Sequence, residues 1–114
     1  MYKVVFYETE TGAEPALAFL EELDPKLKAK ALGQIELLSE KGPSLRIPFS
    51  RHLEDGIFEL RVTQGGFRAR ILYFFVVGHT IVLTHGFLKK TQRTPRREIV
   101  RAQRARKDWR RRHD

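Results

Sequence analysis

The stretch from Ile57 to Leu88 constrains the fold of this chain more than any other part of it. Three runs rich in β-branched and aromatic residues follow one another there: Ile57 to Thr63, Phe67 to Val77 and Thr80 to Leu88. Gly65-Gly66 and Gly78-His79 fill the gaps. Pairs of that kind supply the positive φ of tight hairpin turns, so the runs are expected to form a meander of three antiparallel strands.

The rest of the chain must pack on that meander. Tyr2 to Tyr7 reads as a first strand ending at the polar turn Glu8 to Gly12. A helix from about Ala13 to Leu23 follows, with Leu17, Leu20 and Leu23 at helical spacing and Phe19 beside them. A second helix opens with Asp24 as N-cap and Pro25 at its first position, presents Leu27, Ala31, Ile35 and Leu38, and stops at Gly42-Pro43. Two antiparallel helices are implied. Leu45 to Glu54 reads as a connecting loop. At the other end Thr94-Pro95 reads as an N-cap and first turn, and Ile99, Ala102, Ala105 and Trp109 give the last helix a narrow apolar stripe. Glu98 falls one position late for a capping box, although its charge suits the positive end of the helix. The predicted fold class is α+β, in the order β-α-α-β-β-β-α: a small, mostly antiparallel sheet with two N-terminal helices packed on one face and a basic C-terminal helix. The other face, or one end of it, should be left concave and open. With no repeat, linker or low-complexity stretch, residues 1–114 are expected to form a single domain.

Charge is distributed unevenly over this plan. Lys89 to Asp114 holds 12 of the 22 Lys and Arg residues but only three of the 14 acids, Glu98, Asp108 and Asp114, so the net charge of +8 resides in this segment. A one-sided basic stripe focuses potential and attracts phosphate-bearing polyanions; the alternative is a solvated Arg-rich helix that touches nothing. Cations also interrupt the strands. Arg68 and Arg70 share one face of their strand by the period of two, while Phe67, Ala69, Ile71 and Tyr73 take the other, and Arg61 lies on the neighbouring strand. One sheet face is therefore expected to be cationic, either as a phosphate site or as exposed arginines on an uncovered antiparallel face.

Several function classes are excluded. The chain has no cysteine, hence no disulfide, thiolate nucleophile or Cys-based metal site, which fits a reducing cytoplasm. Its N-terminus lacks the apolar stretch of a signal peptide, and the best apolar run, Ile71 to Val77, is too short to cross a bilayer, so a soluble cytoplasmic protein without a membrane partner is expected. His52, His79, His85 and His113 show no metal-ligand spacing, and there is neither a GxSxG elbow nor a P-loop. No metal and no cofactor are expected.

Three stretches are more specific: GIFELRV at Gly56 to Val62, RILYFF at Arg70 to Phe75, and HGFLKKTQRTPRREI at His85 to Ile99, followed by Ala102 and Arg106. In order and spacing they resemble the HigB-type branch of the RelE/ParE toxin superfamily, and the likeness covers nearly the whole chain. The resemblance implies a RelE-like fold and the toxin of a type II toxin–antitoxin system, blocked by a cognate helix-turn-helix antitoxin and touching DNA only indirectly through that complex. RelE and HigB relatives are endoribonucleases (mRNA interferases) that inhibit translation by cleaving mRNA in the ribosomal A site, whereas ParE relatives act on DNA gyrase without nuclease activity. The basic excess favours ribosome and mRNA as partners over gyrase; an RNA-binding module without nuclease activity is the third alternative. Cleavage by the 2′-OH needs no metal or cofactor, only a base, an acid and fixed cations for the developing phosphorane charge.

The resemblance also assigns roles. Arg70 matches the strand arginine of the RelE group, three positions before a tyrosine, here Tyr73, and is assigned to the scissile phosphate. Arg61 and Arg68 are supporting phosphate contacts, and Arg96 and Arg97 count with the RNA-binding cations. Lys89 and Lys90 match the basic pair after the last strand, and either becomes a proton-transfer group if neighbouring arginines depress its pKa. His85 is a third acid–base candidate, or else a strand-end histidine that holds the HGF turn. This chain departs from the RelE pattern at two places, with Ile57 and Glu59 where that group has lysines and Pro95 and Arg96 where it has a tyrosine. Glu59 is thus open between a base and an Arg-paired structural carboxylate. Tyr2, Tyr7 and Tyr73 read as sheet packing, and Trp109 as core, antitoxin contact or a platform for a base.

Overall fold

A computed structural model describes residues 1–113; Asp114, counted above in the basic tail and in the expected domain, lies outside the described residues. The elements are β1 (Lys3–Phe6), α1 (Pro15–Glu21), α2 (Pro25–Lys41), a 3₁₀ turn (Gly42–Ser44), β2 (Ser50–Glu54), β3 (Ile57–Gln64), β4 (Phe67–Val76), β5 (Thr80–Leu88) and α3 (Arg96–His113). The predicted meander is present as β3, β4 and β5, each pair antiparallel. The sheet has five strands in the order β1-β5-β4-β3-β2, and β1 runs parallel to β5 with Lys3 opposite Thr80 and Phe6 opposite Leu83.

The fifth strand corrects the expectation of a loop from Leu45 to Glu54. Ser50–Glu54 pairs antiparallel with β3, with Ser50 opposite Leu60 and His52 opposite Phe58. The turn that makes this possible is Asp55-Gly56, at φ 50 and φ 77, the two consecutive positive φ angles of a type I′ hairpin, for which Asp-Gly is a favoured sequence. That signal stood in the sequence. The strand itself, SRHLE, is polar and has only Ser50 buried because it lies at the sheet edge, so it lacked the apolar alternation that identifies its neighbours.

Asp24 caps α2 as expected, its carboxylate accepting from the Leu27 amide at 3.2 Å, with Pro25 at the first turn. Thr94 does something else. Its hydroxyl donates to the Glu59 carboxylate, so it ties the start of α3 to β3.

Two apolar layers sandwich the sheet. Ala16, Leu20, Leu27, Ala31 and Leu38 of α1 and α2 pack on Leu60, Val62, Ala69, Ile71, Tyr73, Ile81 and Leu83. Each fully buried Leu contributes roughly 1.5–3 kcal/mol relative to exposure. Gly86 lets α1 approach: a Cβ there would fall 2.2 Å from Phe19 Cδ2. Of the two expected alternatives, an open face and an open end, the first does not hold. Ala102, Ala105 and Trp109 of α3 cover Ile57, Leu72, Phe74 and Val82, because the Arg68–Arg70 phase of β4 continues into apolar Leu72 and Phe74. The cationic face is therefore only the end of a face. Phe87 stands opposite Arg70, and Leu72 opposite Glu59, at the border between the apolar layer and the charged end.

Candidate functional site

The charged end of the sheet is built from the meander register. Arg61 on β3 lies directly opposite Arg70 on β4, and Arg68 lies opposite Thr63. Lys89 continues β5, its amide donating to the Arg68 carbonyl at 2.7 Å. Glu59, two residues before Arg61 on the same face, is the one acid among these cations and is 1 % exposed. Its Oε2 accepts from Arg61 Nε at 3.1 Å, its Oε1 accepts from the Thr94 hydroxyl, and Arg70 Nε lies 3.8 Å from Oε1.

Arg70 differs from the exposed strand arginine of the sequence-based alternative, since it is only 6 % exposed, whereas Arg68 is exposed and Arg61 half-buried. Its Nη1 donates to the Ala69 carbonyl at 3.0 Å, while its Nε is buried without any hydrogen-bond partner. Burial, and then Arg61 and Arg68, lower its pKa against the opposing pull of Glu59. A guanidinium has far to fall before it loses its proton, so Arg70 stays charged. Lys89, 8 % exposed, is a more responsive group. Burial pushes its pKa below the usual lysine value, with Arg70, Arg61 and Arg68 pushing the same way and Glu59 opposing.

Open cavities lie on either side of this cluster. One, of about 320 Å³, is lined by Arg51, His52, Glu59, Lys89, Arg93 and Thr94 among others. The other, of about 340 Å³, is lined by Lys30, Gln34, Pro48, Phe49, Arg61, Thr63 and Arg70. Such an arrangement can hold an anionic group over the guanidinium pair in the second cavity, while Lys89 and Glu59 face the first.

The other residues singled out in the sequence sit elsewhere. Lys90 is exposed and lines neither cavity. Arg96 is paired with Glu54, and Arg97, 80 % exposed, lies 3.8 Å from Glu98 Oε2. His85 is buried under α3, with Phe87 between it and the row of Arg70. Its Nε2 meets Glu98 Oε1 at 3.0 Å and its Nδ1 meets the Thr84 hydroxyl at 3.0 Å. Burial, reinforced by Arg101, pushes its pKa down to about 4 despite Glu98. A β-bulge between the Leu72–His85 and Tyr73–Leu83 pairs brings Thr84 and His85 to this position. Tyr73 packs against Phe58 and bonds Ser50, and burial raises its phenol to about 12. Tyr2 packs edge-on against Phe75. Tyr7, besides packing under α3, donates to Asp108 at 2.6 Å. Trp109 meets Phe74 edge-on and stacks on His113 at 4.0 Å.

Sequence reasoning missed Gln34, Phe49 and Thr94 as parts of this end of the molecule. A signal existed for Gln34, which stands three residues after Ala31 and four before Leu38, a polar side chain in the buried phase of α2. No three His, Asp or Glu side chains converge as metal ligands among the described residues, and no helix is long and apolar enough to cross a membrane.

Residues 18–107 match a family described as phage derived protein Gp49-like (DUF891), a span that runs from the middle of α1 through α2 and the meander to most of α3. No curated protein matches the chain.

Proposed function

Since the chain belongs to the phage-derived Gp49-like family, within the RelE/HigB-like group of toxin–antitoxin toxins, we propose that it is an mRNA endoribonuclease that cuts messages on the translating ribosome and is silenced by a cognate helix-turn-helix antitoxin. The observation that carries this reading is the gathering of Arg61, Arg68, Arg70 and Lys89 around a single buried carboxylate. Four cations against one anion leave a site that is stabilised by a bound phosphate, and the apolar cluster under α3 fixes its position. The 2′-OH of the RNA attacks the adjacent phosphate, the bond to the 5′-oxygen breaks, and a 2′,3′-cyclic phosphate results. Arg70 and Arg61 hold the phosphorane charge, which a planar guanidinium fork suits. Lys89, with its lowered pKa, is the proton-transfer group. Glu59 is the counter-ion that aligns the two guanidinium groups before RNA arrives.

Inducing the chain in cells without antitoxin and mapping RNA ends tests this directly. Cuts should appear inside translated messages, end in a cyclic or 3′-phosphate, and persist in excess EDTA in a reconstituted system whose ribosomes are independently kept intact. A 5′-phosphate product would mean that water had attacked instead. Arrested growth with intact messages and broken or supercoiling-deficient DNA would point to a gyrase target and overturn the reading.

A further inference from the structure

The cavity between α2 and the edge of β3 is lined by one buried donor without a partner, Arg70 Nε, and by the carboxamide of Gln34. Gln34 is 9 % exposed and makes no side-chain hydrogen bond among the described residues, yet it lines this space. Arg70 Nε, in the same lining, is buried with no partner. Leaving a buried donor such as Arg70 Nε unsatisfied costs on the order of 1–3 kcal/mol, and proteins keep that cost mainly where a ligand relieves it. Phe49 adds an apolar face. It is 39 % exposed and held at the mouth because its carbonyl accepts the Arg61 amide at 2.8 Å. Lys30, Arg61 and Arg70 make the lining cationic, with no acid among its residues.

We propose that this cavity is a nucleobase subsite: an unstacked RNA base lies on Phe49, Gln34 reads its edge, and Arg61 and Arg70 hold the phosphate attached to it. The chemistry is selective on each count. Single-stranded RNA is recognised by stacking splayed bases on aromatic rings and hydrogen-bonding their edges, and a carboxamide offers a donor and an acceptor side by side. A purely anionic ligand would use the arginines but would leave Gln34 and Phe49 idle. The volume of about 340 Å³ falls at the small end of ligand cavities. The cavity would then set which nucleotide stands beside the cleaved bond. This deepens the nuclease reading and rests on it for the identity of the ligand as RNA.

The test measures binding rather than cleavage, so the two readings fail separately. Purified full-length protein is titrated with tetranucleotides made uncleavable by 2′-deoxy sugars, and with inorganic phosphate, followed by NMR chemical shifts. Phe49→Ala should weaken tetranucleotide binding by roughly tenfold or more and leave phosphate binding unchanged. Gln34→Leu should alter the ranking among A, C, G and U tetranucleotides. Phe49→Leu, which keeps the apolar volume but removes the stacking face, is the check if the alanine variant melts early. Wild-type tetranucleotide affinity in a folded Phe49→Ala or Phe49→Leu protein would overturn the subsite, as would loss of antitoxin binding with nucleotide binding intact. A protein that binds as expected but cuts no message would retain the subsite and lose only the nuclease.

Discussion

Arg70 and Arg61 face each other across β4 and β3, an arrangement of like charges that is destabilising unless an anion lies between them. Glu59 supplies that anion, so the pair is tolerated and also aimed. Arg70→Ala removes a repelled cation and leaves Glu59 with Arg61 and Thr94, and the protein should still melt cooperatively. Its cleavage rate should fall roughly a hundred- to a thousand-fold, the usual loss when one preorganised donor to a developing anion is removed. Arg70→Lys should recover only part, because a point charge cannot reproduce two parallel donors. Single-turnover cleavage on ribosomes beside a thermal melt measures both, and full activity in a folded Arg70→Ala protein would move the chemistry away from this guanidinium. His85 gives a second expectation. Its native pKa is about 4 against an ordinary value near 6.5, so the unfolded chain binds the extra proton first as pH falls. Its contribution to stability is complete above about 6.5 and is lost on the way down to about 4, by an amount on the order of 3 kcal/mol at most. Denaturant titrations from pH 7.5 to 4 should show that slope in the wild type and a flatter one in His85→Gln; equal slopes would assign the loss to other groups.

At the scale of elements, α3 is fastened at mid-helix and near its C-terminus by polar contacts that interleave with its short apolar stripe. At mid-helix Arg106, 8 % exposed, reaches the Asp55-Gly56 turn, donating to the Asp55 carbonyl and, at 2.8 Å, to its carboxylate. Asp108 near the C-terminus accepts from Tyr7, Arg111 and Arg112, which hold its carboxyl down at about 2. The hairpin that makes β2 and the helix that covers the sheet are thus one mechanical unit. Arg106→Ala should cost about 1–3 kcal/mol, the range for losing hydrogen bonds from a charged donor, and lower the melting temperature by several degrees in a domain of this size. Asp55→Asn, which suits the positive φ of the turn and leaves both the backbone carbonyl and a side-chain oxygen to accept from Arg106, should cost less. If both variants melt like the wild type, the clamp contributes nothing to the attachment of α3.

Over the whole molecule the basic excess divides into two populations. Arg111 is paired with Glu10 and Asp108, and Arg112 with Asp108 and the Glu8 carbonyl, so these cations bind the helix to the β1–α1 loop. Arg101 and Arg104 have no carboxylate partner among the described residues, and Arg97 only a distant one. Spaced by four and three residues, the three form an exposed stripe on α3. Counterion release from RNA should therefore depend on that stripe more than on the terminal cluster. Replacing Arg97, Arg101 and Arg104 with Ala should reduce the log–log salt slope of RNA or ribosome binding by roughly 0.7 to 0.9 for each phosphate that is no longer neutralised, whereas Arg111→Ala with Arg112→Ala should change it little and lower stability instead. The opposite ranking would place the phosphate-binding surface at the C-terminus.

Where periodicity and turn chemistry are local, the sequence alone determined the outcome. The meander, the Asp24–Pro25 start of α2, the apolar stripe of α3 and the shared face of Arg68 and Arg70 depend on neighbours a few residues apart, and all are present. The RelE-type likeness of the three motif stretches likewise agrees with the family match over residues 18–107. What depends on distant partners could be reached only through the tertiary structure. Edge strand β2 has no apolar alternation, so although its Asp55-Gly56 turn is a local signal, only the ladder with β3 makes it a strand. Arg70 is buried, Glu59 is the shared anion, and Lys89 is shifted because three strands and the start of α3 bring their charges within a few ångströms. Gln34 is legible as a polar residue in the buried phase of α2, but only the fold sets it in one cavity lining with Phe49 and Arg70. Burial and charge proximity are sums over neighbours far apart in the chain, and no local pattern encodes such a sum.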